Sequence, residues 1–88
     1  MLKRIEPLLD DLRAYRVLDE RRPGQFYLVG REFMHFHELP DGMVADVFLP
    51  GERFRVEVTT RAEQLDLLDR LAPRLERASA GRHRRDDH

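Results

Sequence analysis

Two histidines one residue apart, His35 and His37 in the run "GREFMHFHELPDG" from Gly30 to Gly42, are the residues of this chain best placed to do chemistry. On a strand, side chains two positions apart leave the same face, so the pair can present two imidazoles to one metal ion or to one proton in transit. Asp46, on the following strand, could be a third ligand or the carboxylate that fixes an imidazole tautomer. Arg55, one strand further, would pair with Asp46 and turn the same row into a cross-strand charge ladder. Two readings therefore stand together: partly exposed strand histidines in a ladder, or a metal or acid–base site using His35 and His37 with Asp46 or Glu57 assisting. Little else competes. The chain has no cysteine, Lys3 is its one lysine, its one serine, Ser79, borders a polar tail, and its glycines are too scattered to cradle phosphate.

Composition narrows the classes. A chain of 88 residues is one domain, and a domain of that size buries only about 60% of its unfolded surface. Sixteen basic residues against 17 acidic ones leave no broad positive field of the kind non-specific nucleic-acid binding requires, which argues against nucleic acid as a partner. "MLKRIEPLLDDLRAYR" is charged every few residues and holds no apolar core for a signal peptide or membrane span, so a soluble, cytoplasmic protein without membrane contact is expected. The end, "ASAGRHRRDDH", has almost nothing to bury. The expected division is a single domain over 1–79 and a disordered polar tail over 80–88.

Leu2, Ile5, Leu8, Leu9 and Leu12 recur at helical spacing, with Pro7 marking a first turn or a late start. After Tyr15 the period changes to two. Five strand candidates follow up to Val58, divided by turn chemistry at Pro23-Gly24, Gly30-Arg31, Pro40-Asp41-Gly42 and Pro50-Gly51. Thr60-Arg61-Ala62-Glu63 has the capping-box pattern, and Leu65, Leu68, Leu71, Ala72 and Leu75 restore helical spacing, with Pro73 predicted to kink or split that helix. The fold class predicted is α+β: a five-stranded antiparallel meander with an N-terminal and a C-terminal helix on one face.

Two-residue turns fix register. A tip at Pro40-Asp41 sets Met34 opposite Val47, Phe36 opposite Ala45, His35 opposite Asp46 and His37 opposite Val44, and a tip at Pro50-Gly51 sets Asp46 opposite Arg55. Met34, Phe36, Met43, Ala45, Val47, Phe54, Val56 and Val58 then form the helix-covered face. The other face carries His35, His37, Asp46, Arg55 and Glu57 with Val44 and Phe48, and extension through Gly30-Arg31 adds Phe26, Leu28 and Phe33. Such a mixed face predicts a homodimer closing over the apolar patch.

The run Gly30-Arg31-Glu32-Phe33-Met34-His35-Phe36-His37, with Asp41-Gly42 and Leu49-Pro50, resembles the small luciferase-domain family, named for the fungal luciferase and populated mainly by uncharacterised bacterial proteins. The resemblance covers about residues 26–50, and more weakly 54–75. Members of that family carry a longer segment after the leucine-proline, with a helix, a glycine-tryptophan and a further histidine-proline; here Pro50 leads through Gly51 straight to Phe54, and the chain has no tryptophan. The resemblance therefore implies the architecture rather than the oxygenation of a hydroxylated pyrone. The function expected is a binding or interaction domain of this type, homodimeric, with His35, His37, Asp46, Arg55, Phe33 and Phe48 as binding residues. One alternative is a minimal enzyme or metal-binding protein whose divalent cation is held by His35 and His37. The other is a single-strand nucleic-acid binder using Arg53 and Arg55 with Phe26, Phe33 and Phe48 as a stacking surface.

Overall fold

The computed structural model describes the backbone of residues 2–86 and the side chains of residues 3–80. A 3₁₀ turn, Leu2–Ile5, leads into α1, Glu6–Arg13; five strands follow, β1 Leu18–Arg22, β2 Gln25–Leu28, β3 Arg31–Leu39, β4 Gly42–Leu49 and β5 Glu52–Glu57; α2, Arg61–Asp86, closes the chain. The strands form one antiparallel sheet in sequential order, with β1 and β5 at its edges. The α+β class and the meander are thus as the periodicity predicted.

Each helix forms where its apolar stripe can be buried. Ile5, Leu8, Leu9 and Leu12 are fully enclosed, and Pro7 sits in the first turn of α1, where its missing N–H would have had no partner. At the start of α2 the capping box closes in both directions: the Glu63 N–H donates to Thr60 Oγ1 at 3.1 Å and the Thr60 N–H donates to Glu63 Oε1 at 2.9 Å. The buried stripe of α2 runs Gln64, Leu67, Leu71, Leu75, while Leu65, expected inside, is 46% exposed. Gln64 is a polar residue inside the core and earns its place by bonding: its side-chain N–H groups donate to the carbonyls of Val58 and Arg4, tying α2 to the end of β5 and to the N-terminal turn. Of the two outcomes expected at Pro73, a kink or a split, the split does not occur: α2 is helical on both sides of it. The proline is exposed, so water can take the place of the missing donor. Helical backbone continues through Asp86, over most of the segment expected as a disordered tail; the side chains of 81–88 and the backbone of 87–88 lie outside the described residues.

From β3 to β5 the register is the one deduced from the turns: Met34 opposite Val47, His35 opposite Asp46, His37 opposite Val44, and Asp46 opposite Arg55. From β2 to β3 it is not. The turn is Val29-Gly30 rather than Gly30-Arg31, both residues having positive φ, 51° and 76°. Phe26 then pairs with Met34 but Tyr27 pairs with Glu32, so Phe33 is an extra residue, a β-bulge. The bulge turns Phe33 and Met34 to the same side, where they are 2% and 0% exposed, and leaves Glu32 beside His35 on the other. Phe26 and Phe33 accordingly belong to the helix-covered core and Leu28 packs against it. The expectation that these three lie on the second face is corrected: a bulge inverts the alternation of everything upstream of it.

Val29 is a β-branched residue in the left-handed region and is 80% exposed, so its conformation costs free energy that no packing returns. Asparagine before glycine suits this turn. Val29→Asn is expected to stabilise the domain by about 1 kcal/mol, the order of the left-handed penalty. A thermal melt in which the midpoint fails to rise would contradict that.

Candidate metal centre

Three adjacent strands bring the site together. β3 supplies His35 and His37, β4 supplies Asp46, and β5 supplies Arg55, in the row His35–Asp46–Arg55 across the ladder. The two imidazole Nε2 atoms are 3.0 Å apart, and Asp46 Oδ2 lies 3.2 Å from that of His35 and 2.8 Å from that of His37. The rings meet edge to face, with centroids 4.7 Å apart, and the Phe48 ring lies against His35 with a centroid separation of 5.3 Å.

Behind this triangle stand two fixing groups. Glu32 Oε2 is 2.8 Å from His35 Nδ1, which places a proton on Nδ1 and leaves Nε2 as a lone-pair donor aimed at the triangle. Arg55 grips Asp46 from the far side, donating from Nε to Oδ1 at 2.6 Å and from Nη2 to Oδ2 at 3.0 Å. That fork, aided by the nearby imidazoles and opposed by partial desolvation, holds the Asp46 carboxyl down at about 2. Asp46 is therefore an anion at any physiological pH.

Compared with family models, curated proteins and solved structures, the chain matches none.

With the proton of a neutral His35 on Nδ1 and His37 neutral as well, the triangle contains the His35 lone pair, the anionic Asp46 oxygen and at most one proton, on His37. One edge can be a hydrogen bond; another then sets two acceptors against each other. A cation among the three relieves this, either a second proton or a metal ion. The dimensions suit a metal. An ion about 2.1 Å from each donor would space them about 3.0 Å apart at the right angles of an octahedral face and about 3.4 Å apart at tetrahedral angles, and the observed edges, 2.8, 3.0 and 3.2 Å, are nearer the octahedral face. Among the described residues these are the one group of three or more such side chains whose donor atoms converge, all within 4.8 Å.

Other expected site residues fare differently. Arg55 is present, but as the holder of Asp46. Phe48 is present as the wall beside His35. Phe33 takes no part in the triangle, because the bulge turns it to the helix-covered side. Glu57 stands across from Val44 and has no ion pair or hydrogen bond to the triangle among the described residues. Glu32 was not anticipated. In a regular strand it would face away from His35, and only the bulge turns it round. The nucleic-acid alternative loses two of its three stacking rings, since Phe26 and Phe33 are buried, and Arg55 is engaged with Asp46.

The depressed Asp46 pKa has a stability consequence. A carboxyl with a lowered folded-state pKa stabilises the fold above its ordinary value of 3.8, and that contribution is lost as pH falls through about 2. Glu20, lowered by its hydrogen bonds with Arg13, acts in the same direction. Urea titrations from pH 7 to pH 2 should show Asp46→Asn differing most from the parent near neutrality and converging with it toward pH 2. A gap that stays constant would remove this role from Asp46.

Proposed function

We propose that this protein binds a divalent transition-metal ion through His35 Nε2, His37 Nε2 and Asp46 Oδ2, with Glu32 orienting His35 and Arg55 orienting Asp46. The observation that carries the reading is the donor triangle, whose edges match those of one face of a metal coordination sphere and which leaves acceptors opposed when no cation is present. Imidazole with carboxylate is a donor set for zinc, iron(II), cobalt or nickel rather than calcium or magnesium. Three protein ligands leave the outward coordination positions to water or to a bound ligand, and His37, 47% exposed at its side chain, lies at the open edge. The site is thus of the kind that can activate or recognise something delivered from solvent. Zinc or nickel added to the metal-free protein should raise its melting temperature, and the His35→Ala, His37→Ala double variant should abolish the gain.

The interaction role expected for this face draws on less surface than the sequence suggested. With Phe26, Leu28 and Phe33 turned inward, the apolar residues left from the expected patch are Val44, itself 4% exposed, and Phe48. Closure by a second copy is therefore the weaker reading, and metal binding the better supported one. No helix among the described residues is long and apolar enough to cross a membrane.

A further inference from the structure

On the helix side of the sheet, a cleft of about 560 Å³ opens between the Val29-Gly30 turn, the Pro50-Gly51 turn and the later turns of α2. Its apolar lining comes from Leu28, Val29, Phe33, Leu49 and Pro50, the last turns of the core where the sheet outruns its helical cover. Its polar lining is lopsided. Arg31 enters from β3, and Arg74 and Arg77, three apart on one face of α2, enter from above. The single acid in the lining, Glu32, is turned toward His35.

Arginines of this fold are either paired or, like Arg4, Arg22 and Arg53 outside the cleft, without a carboxylate partner among the described residues; what marks the cleft is that three of the second kind meet at one cavity. Arg13, Arg21, Arg55, Arg61 and Arg70 each have a carboxylate partner. Arg31, Arg74 and Arg77 have no ion pair or hydrogen bond among the described residues. Three guanidinium groups thus meet at one apolar cavity with no carboxylate paired to them among the described residues. The planar guanidinium fork matches a carboxylate, as it does a phosphate, in two parallel hydrogen bonds, and an apolar lining beside it suits the singly charged head of an amphiphile. The cavity has the size of small-molecule sites, which combine an apolar lining with a few convergent polar groups.

We infer that this cleft is a ligand site for an amphiphilic carboxylate, with an unbranched or aromatic apolar body lying against Leu28, Phe33 and Leu49 and its anionic head held by Arg31, Arg74 and Arg77. The site is separate from the metal centre and does not rest on it. The two share a wall, because Glu32 and Phe48 line the cleft on one side and touch His35 on the other.

The test uses the full chain and sodium decanoate below its micelle concentration, followed by calorimetry and by amide chemical shifts. Saturable binding is expected, with shifts concentrated at residues 28–33, 48–50 and 74–78. Decanol and decyltrimethylammonium, which keep the chain but lose or invert the charge, should bind at least tenfold more weakly, and inorganic phosphate should not displace decanoate. Arg74→Glu with Arg77→Glu should weaken binding tenfold or more at unchanged circular dichroism. Arg31→Glu, on the sheet rather than the helix, should do the same and guards against a local effect on α2. The His35→Ala, His37→Ala variant should still bind. Equal binding of decanol, unsaturable uptake, or full affinity in both arginine variants would overturn the inference.

Discussion

Zinc at a hundredfold excess over its dissociation constant is expected to stabilise the protein by about 2.7 kcal/mol, the mass-action value for a ligand that binds only the folded state. In a domain of this size that corresponds to a rise of about 10 to 20 °C in melting temperature. His35→Ala with His37→Ala should remove the whole rise, and so should Asp46→Ala. Glu32→Gln is the more telling variant. It keeps all three donors but weakens the hold on the His35 tautomer, so affinity should fall by about 10- to 100-fold, the usual cost of losing such a partner. Histidines outside the triangle supply the control. His83→Ala with His88→Ala should leave the rise intact, and a rise that vanished with those two instead would move the metal to the end of the chain. No rise at saturating zinc, nickel or iron(II) would end the proposal.

Phe33→Ala is expected to cost about 3–5 kcal/mol, because it empties the space of a buried ring. A domain of this length has a total stability of about 4 to 13 kcal/mol at the usual 0.05–0.15 per residue, so the variant should sit near the edge of folding. On a face open to solvent the same change would fall within about 0.5 kcal/mol. Urea unfolding therefore decides between the two placements of the ring. A small loss for Phe33→Ala would mean that the bulge at Phe33 is absent and that Glu32 does not reach His35. Phe48→Ala makes the companion measurement: its half-buried ring should cost clearly less, and its removal should loosen His35 rather than the core.

The parts of the fold that were legible in the sequence are those governed by local rules. Pro40-Asp41 and Pro50-Gly51 define two-residue turns, and a two-residue turn leaves no freedom in the pairing beyond it; the row His35–Asp46–Arg55 follows from those two turns and the strand period. The capping box at Thr60 was legible for the same reason, since its donors and acceptors lie within four residues. What failed was parity across β2 and β3. Moving the turn from Gly30-Arg31 to Val29-Gly30 would not have changed which face Phe26 and Phe33 occupy, whereas the one unpaired residue at Phe33 inverts it. The signal was present in Phe33-Met34, two large apolar neighbours interrupting an alternating strand, and sheet burial of both requires a bulge. Because that signal concerns tertiary burial rather than turn chemistry, Glu32 could not be placed at the site without it. Leu65 is exposed for a related reason: spacing identifies a helix, but which of its faces meets the sheet is set by where β5 delivers the chain and by the bonds of Gln64.

A sheet laid down in sequential order has two open margins, and an unpaired margin is a template on which another chain can add itself. Here both are armoured. β1, "LDERR", carries four consecutive charged residues and a register break at Arg21 that disturbs the line of free backbone groups. β5, "ERFRVE", alternates two apolar residues with four charged ones, two of them, Arg55 and Glu52, held in ion pairs that an incoming strand would have to displace. The apolar strands β3 and β4 lie between them, out of reach. Arg55 thus serves at once as the clasp of the metal-binding carboxylate and as a guard against strand-by-strand polymerisation, so replacing it would put solubility as well as the site at risk.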